Sequence, residues 1–418
     1  MTAKTPEGGI SRRRVLETGA ALAPLAALPG IAQAAGKEPA DKAAAAVPFK
    51  IAVPQARLDW IRTRLKEAQW PPIPVDDNWG YGANGAATRE LVTYLLDKYD
   101  WRAREAAMNK YPQFIAKVDG YDIHFFHVKG SGKNPTPMIL SHGWPGTFTE
   151  FLKVIEPLTQ PEKHGGKAED SFTVVIPSLP GFGFSSKPAK PIGSRRIGRL
   201  FDKLMVEVLG YKSYIAQGGD FGSPISQAMG HDSPNCKAVH LNFLIGVGSP
   251  EVTPDEKGMN AKWGKLMQTE GGYIAIQGSK PLTLSYGLTD SPLGTVAWIF
   301  EKMKTWSDLQ NGDPWSVYSR EDVLDNIMVY LVSDTIATSV WMYRGEPDPY
   351  PPMPEKMNKP VGVAHFPGEL IFWPKSYGER IFNLVRWTEY QKGGHFAALE
   401  QPALFVEELR AFKKQVKV

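Results

Sequence analysis

The sequence predicts an α/β fold: a mostly parallel, doubly wound sheet with a helical cap insertion and an N-terminal extension. Three observations carry this prediction. Short apolar strand patterns alternate with helical patterns between Tyr121 and Phe243. Residues 249–345 then carry helical stretches and no clear strand. Strand patterns return over residues 361–366 and 384–390. With 418 residues, 42% hydrophobic and 22% charged, the chain can bury a large core without disulfides or metals.

The N-terminus reads as an address. Ser11-Arg12-Arg13-Arg14-Val15-Leu16 precedes an uncharged stretch, 18–32, and Ala32-Gln33-Ala34 has the small-residue spacing of a cleavage site. This is similar to a twin-arginine export signal over residues 1–34, and implies the twin-arginine machinery as a transient partner and a periplasmic or secreted protein. The apolar stretch is too short and too rich in Ala, Gly and Pro to span a bilayer, and the rest of the chain holds no longer one. The signal carries Lys4, Arg12, Arg13 and Arg14 against Glu7 and Glu17, so half of the net charge of +4 lies there. What is left argues for neither nucleic acid nor an anionic surface as partner. The single cysteine, Cys236, excludes an intramolecular disulfide and a cysteine-based metal site. It reads as a small semi-buried thiol.

Residues 35–46 read as a linker and 47–117 as the N-terminal unit. Within it a helix runs from Pro54 to Ala68, where Trp70-Pro71-Pro72 stops it. A second begins near Ala87, with Leu91, Val92, Tyr94, Leu95 and Leu96 at helical spacing. The first part of the core follows, 118–248. Residues 121–128 alternate as a half-buried strand. Residues 138–141 form a short strand leading to His142-Gly143-Trp144-Pro145-Gly146, and a helix covers 148–158. Residues 172–177 and 213–217 are further strands, and 238–243 another. The insertion, 249–345, has helices over 294–304 and 321–332. The second part of the core, 346–418, supplies two strands and a last helix over 401–414. An insertion between late strands is placed over the sheet's C-terminal edge.

The chemical signal lies at Gly218-Gly219-Asp220-Phe221-Gly222. It follows a strand and has the small-x-nucleophile-x-small shape of a nucleophile elbow, with Asp where esterases have Ser. Small flanks let the strained turn pack closely while one side chain enters the cleft. The helix that follows turns its N-terminal N–H groups toward the carboxylate. Taken alone, Asp220 could equally be a helix N-cap. The loop His142-Gly143-Trp144-Pro145 sits where this fold supplies one oxyanion donor, which pairs the backbone N–H of Trp144 with that of Phe221. Glu369 follows a strand, and His395 lies in Gly393-Gly394-His395-Phe396. The order nucleophile, acid, histidine completes the pattern.

The other histidines read differently. His124, His127 and His240 lie on strands as packed or surface side chains, and His164 and His231 in polar loops. His142 suits a backbone-bonded structural role. His365, at the end of the strand before Glu369, is the one rival to His395.

With these motifs in place, the chain resembles epoxide hydrolases of the microsomal type, including juvenile-hormone epoxide hydrolases, within the α/β-hydrolase fold. The resemblance runs from Val47 to the C-terminus. It rests on Pro48-Phe49-Lys50, Tyr111-Pro112-Gln113-Phe114, the stretch His142 to Gly146, Pro180 to Ser185, Gly218 to Ser223, and Gly393 to Ala398. It implies that Asp220 attacks an epoxide carbon and that His395, oriented by Glu369, then activates water against the resulting ester. It also implies that two insertion tyrosines, matched at Tyr273 and Tyr343, donate to the epoxide oxygen. Read from the residues alone, each is a packed aromatic. The partners implied are a small apolar epoxide and water, with no metal or organic cofactor. Phe221 stands where the family more often has Trp.

Two other readings share the plan. A haloalkane dehalogenase would use the same Asp, but commonly needs a Trp directly after it. An inactive binding protein would keep the fold and pocket without the chemistry. An esterase is disfavoured, because no G-x-S-x-G occurs.

Overall fold

The computed structural model describes residues 45–345, 356–416 and 418. The export signal read over 1–34 and the linker up to residue 44 lie outside the described residues.

One sheet organises the chain, in the order β1-β2-β3-β5-β4-β6-β7-β8-β9. Its strands are β1 (Val47–Phe49), β2 (Gln113–Val118), β3 (Tyr121–Val128), β4 (Thr136–Ser141), β5 (Phe172–Pro177), β6 (Tyr214–Gly218), β7 (Cys236–Leu241), β8 (Met357–His365) and β9 (Phe382–Glu389). From β5 to β9 all neighbours are parallel, whereas β1, β2, β3 and β5 pair antiparallel. The central strands β5 and β6 are buried along their whole length. Parallel strands covered on both faces need such continuous apolar runs.

The N-terminal extension reaches into the sheet, because β1 and β2 form its antiparallel edge. Three residues are too few to show a strand period, and β2 mixes buried, half-buried and exposed positions irregularly. β3 departs from the half-buried expectation: residues 123–126 are all buried. His124 is tolerated inside because its ring nitrogens meet Ser178 Oγ at 2.9 Å and Gln113 Oε1 at 3.0 Å. Phe49 and Phe184 close over the ring at 5.1 and 5.4 Å. Burial holds the imidazole neutral, at about 3.

Helices α1 (Gln55–Lys66), α2 (Gly85–Asp97) and α3 (Trp101–Met108) form the rest of the extension. Helices α4 (Leu152–Thr159), α5 (Ser194–Lys203) and α6 (Gly222–Asp232) connect core strands. His164 and His231, expected in polar loops, lie in a single 3-10 turn and in the last turn of α6. The α6 pattern runs on to Asp232 because the restriction ahead of Pro234 acts only on Ser233.

Between β7 and β8 lie α7 (Met259–Thr269), α8 (Gly272–Ser279), α9 (Pro281–Asp290), α10 (Pro292–Thr305), α11 (Arg320–Ser333), α12 (Ile336–Ser339) and α13 (Trp341–Arg344). Helix α11 starts with a capping box, Ser319 with Asp322, and its body is buried from Val323 to Val332. The extension braces it. Arg104 Nε on α3 donates to both Asp325 oxygens at 2.9 Å, and the Tyr99 hydroxyl to Oδ1 at 2.7 Å. Helices α14 (Lys375–Ile381), α15 (Ala397–Glu400) and α16 (Pro402–Gln415) finish the chain. No single helix among the described residues is long and apolar enough to cross a membrane.

Candidate active site

Strand β6 ends at Gly218, and the chain turns through Asp220 at φ +44° before α6 begins. A non-glycine residue in this left-handed region is strained and needs its surroundings to hold it. The glycines make that possible. A Cβ on Gly222 would lie 1.9 Å from the Ser141 carbonyl oxygen, and one on Gly218 would lie 2.1 Å from that of Gly222. One on Gly219 would meet the Asn242 side chain at 2.5 Å, and one on Gly143 would meet Asp220 Oδ1 at 2.1 Å. Strand β4, the β4 loop and the elbow are thus packed backbone against backbone.

Asp220 does not cap α6. Phe221 holds the N-cap position, with no side-chain cap. Oδ1 of Asp220 instead accepts the Trp144 backbone N–H at 2.8 Å. The Phe221 N–H, at the start of α6, belongs to the helix-start donors that have no partner inside the helix. His142, Pro145 and Gly146 fix the loop. The Leu179 N–H approaches His142 Nε2 at 3.3 Å, and Nδ1 lies 3.0 Å from the Gly143 carbonyl. That leaves Nδ1 as the donor and the ring neutral, and burial lowers its pKa to about 4. The Pro145 carbonyl accepts Asn326 Nδ2 at 2.8 Å, and the Gly146 carbonyl accepts the Tyr330 hydroxyl at 2.7 Å. Both donors come from α11.

His395 meets Asp220 from the other side. Its Nε2 lies 3.4 Å from Asp220 Oδ2, and its Nδ1 lies 2.8 and 2.9 Å from the two Glu369 oxygens. Glu369 is buried, and its Oε1 also accepts the Leu370 N–H at 2.9 Å. Burial opposes the imidazolium, but the Glu369 charge and the hydrogen bonds to Asp220 and Glu369 outweigh it. The His395 pKa therefore stands well above the usual value. His365 stacks on Phe372 at 4.2 Å and is lowered by burial, so it is not the partner of Glu369.

Tyr273 on α8 and Tyr343 on α13 come down over the elbow. Tyr273 stacks on Trp144 at 5.4 Å, and Tyr343 meets Trp144 edge-on at 5.6 Å. The two rings are 5.6 Å apart, and Phe221 stands 4.8 Å from Tyr343. Burial raises both phenols, Asp220's charge adds to this, and both stay protonated.

Several contributors carried no motif. Trp306 packs against His395 at 5.0 Å and Tyr273 at 5.2 Å, and its carbonyl accepts the His395 N–H at 2.9 Å. Asp308 Oδ2 accepts the Gly393 N–H at 2.8 Å. Glu400 accepts the Phe396 N–H at 3.0 Å and the Asp308 N–H at 2.9 Å. Burial lifts its carboxyl to about 7. These bonds tie the histidine loop to the end of α10. The available signal was a glutamate directly after the apolar run Phe396 to Leu399. Glu150 is a further buried carboxyl near the site, pushed up to about 8. Among the described residues, no cluster of three or more His, Cys, Asp or Glu side chains is arranged to hold a metal ion.

Residues 46–151 match the family described as "Epoxide hydrolase N terminus", and 136–263 match "alpha/beta hydrolase fold". A Stigmatella aurantiaca protein assigned by name to the epoxide hydrolases is 42% identical over 378 residues, covering 88% of this chain and 85% of its own length. The chain belongs to the epoxide hydrolase family. Juvenile hormone epoxide hydrolase 2 of Ctenocephalides felis is 35% identical, covering 87% of this chain and 84% of its own. The solved structure of Aspergillus niger epoxide hydrolase superposes with a TM-score of 0.79 at 30% identity, covering 90% of this chain and 98% of that one. The chain is an epoxide hydrolase with the α/β-hydrolase fold, so its reaction adds water to an epoxide.

Proposed function

We propose that this epoxide hydrolase works through a covalent ester on Asp220. The observation that carries the reading is the Asp220 carboxylate itself, held by the Trp144 N–H on one oxygen and faced by His395 Nε2 on the other. In the first step an Asp220 oxygen attacks an epoxide carbon, the ring C–O bond breaks, and Tyr273 and Tyr343 donate to the departing oxygen. The product is a hydroxyalkyl ester. In the second step His395 takes a proton from water, which attacks the ester carbonyl carbon. The N–H groups of Trp144 and Phe221 hold the resulting oxyanion, and collapse releases a vicinal diol.

Glu369 fixes the imidazole and stabilises its cation. His142, Gly143 and Pro145 shape the oxyanion loop, and Gly218, Gly219 and Gly222 shape the elbow. The aromatic walls suit a small apolar epoxide. On this reading residues 47–117 brace the insertion, 249–345 carry the proton donors, and 118–248 with 346–418 carry the nucleophile and the base. Residues 1–34 act as a twin-arginine signal that sends the protein out of the cytoplasm.

The test is incubation of pure protein with a styrene-type epoxide and, separately, a chloroalkane. Diol formed with one solvent oxygen, and little chloride release, is expected. Chloride release without epoxide turnover would favour a dehalogenase, and no turnover of either would favour a binding protein.

A further inference from the structure

Lys302 is a buried cation with no part in the chemistry described so far. It lies on α10 with 6% of its surface exposed, on the side that also buries Ile299, Met303 and Trp306. A lysine on a helix face normally lays its stem along the apolar surface and sends the ammonium out to water. Here the ammonium stays inside, 4.7 Å from the centre of the Tyr273 ring and 5.9 Å from that of Trp306. Its Nζ is 2.6 Å from Glu301 Oε2, and Glu301 Oε1 accepts the Thr305 hydroxyl at 3.1 Å. A buried ammonium needs such a partner. The pairing explains how the charge is tolerated, but not why it faces this ring.

The ring's identity supplies a reason. A cation near the face of an aromatic ring is attracted by the ring's negative face. The attraction grows when the ring takes on negative charge, because a phenolate spreads that charge over its carbons. A fixed cation therefore favours the phenolate over the phenol, and acts more strongly in a transition state where the proton is leaving. Asp220 and Glu369 from the core and Glu270 at the end of α7 are acidic and work against ionisation of the phenol, while the hydrogen bond from Tyr343 works for it. Glu301 offsets part of the ammonium's field, but Nζ of Lys302 is the group held at the ring face, 4.7 Å from its centre, where a cation favours the phenolate.

We propose that Lys302 is an electrostatic positioning residue for Tyr273: its ammonium, anchored by Glu301 against the ring, makes the phenol a stronger donor to the epoxide oxygen during ester formation. The inference rests on Tyr273 being a proton donor. In that step the bond from Asp220 to the epoxide carbon forms and the ring C–O bond breaks, its electron pair going to oxygen. The phenol proton follows, giving the hydroxyl, and water restores the phenol later in the cycle. Lys302 exchanges no proton with substrate.

The test separates the half-reactions of Lys302→Met, Lys302→Gln and Lys302→Arg by rapid quench with styrene oxide. Met keeps most of the buried stem, and thermal unfolding checks that each variant is folded. The folded neutral variants should form the ester about tenfold more slowly, the scale of one desolvated cation–π contact. They should hydrolyse it at the unaltered rate, and Arg should restore most of the loss. In Tyr273→Phe, adding Lys302→Met should cost little more, because the cation then has no phenol to act on. Unchanged ester formation in a folded neutral variant would overturn the proposal. So would equal slowing of both half-reactions, which would mark a packing effect passed through Trp306 to His395. Tyr273→Phe on its own settles which idea has failed. If it forms ester at full rate, the donor reading falls; if it is slow while Lys302→Met is normal, only the role of Lys302 falls.

Discussion

Nε2 of His395 stands 3.4 Å from Oδ2 of Asp220, while Oδ1 of the same carboxylate is held at 2.8 Å by the Trp144 N–H. One oxygen thus lies in the donor loop and the other faces the base. The imidazole cannot swing away freely, because Nδ1 is within 2.9 Å of both Glu369 oxygens and the His395 N–H is bonded to Trp306. The proposed division of labour follows. The carboxylate can attack without help from the base, but its ester cannot be hydrolysed without it.

His395→Gln should therefore alkylate and stall. Mass spectrometry after exposure to an epoxide should show protein heavier by one substrate, with the adduct on Asp220. Asp220→Asn should form no adduct at first, because a neutral amide is a poor nucleophile. Glu369→Gln should slow hydrolysis by ~10²–10⁴-fold without abolishing it, as expected for impaired general base catalysis. An adduct on Ser223 or Cys236 would sink the mechanism.

The half-reactions should also divide with pH. In the free enzyme Glu369 and Asp220 overcome the effect of burial and hold the His395 pKa well above the ordinary value. Esterification removes the Asp220 charge, and with it part of what raises that pKa. Hydrolysis needs the neutral ring, so its rate should fall as pH drops through the lowered, ester-state pKa. Ester formation does not call on the neutral imidazole, and both phenols keep their protons, so it should persist. Quenched samples should then show a larger fraction of ester at lower pH. A parallel fall of both rates would count against this assignment.

Tyr273→Phe and Tyr343→Phe should each slow ester formation by ~10–100-fold, and the double variant by more, while hydrolysis of preformed ester is spared. Neither change leaves a large cavity, so unfolding temperatures should move little. A double variant with full epoxide turnover would remove both tyrosines from the reaction.

Much of this was legible in the sequence, for physical reasons. Strands β3 and β5 were bounded to the residue, because short apolar runs flanked by Gly, Pro and polar turns have few alternative readings. The elbow was legible because only small residues fit where backbone meets backbone, as Gly218 and Gly222 do. Other features left no pattern. Helix α3 is eight residues long and marked mainly by its Asp100 cap. Asp308, Glu400 and Lys302 act through contacts between distant segments. Lys302 did leave a trace, as a charge three residues after Ile299 and four before Trp306 on one buried helix face.

Export can be tested directly. On the twin-arginine reading, protein recovered outside the cytoplasm should lack residues 1–34. Changing Arg12 and Arg13 together to Lys should leave the precursor inside, as judged by immunoblot of cell fractions. Unchanged export would rule that route out.

The last prediction concerns Glu150, which the proposed mechanism does not use. Its carboxyl lies so close over Gly146 that a Cβ there would fall on Oε1. Burial, with Asp220's charge adding and His395's opposing, pushes its pKa up to about 8. In the unfolded chain it would titrate near the ordinary ~4.3. For an acid whose folded pKa is raised, the unfolded state loses its proton first. Stability is then unaffected below the unfolded pKa, falls as pH rises through the window, and levels off above the folded pKa. Glu150→Gln removes the titration while keeping the shape and a polar head group. Its advantage over the native chain should be absent at pH ~4, grow through neutrality and reach on the order of a few kcal/mol by pH ~8. Urea unfolding across that range measures it. A stability difference that does not change with pH would mean that folding leaves the Glu150 pKa unshifted, and a loss growing with pH would mean that folding lowers it.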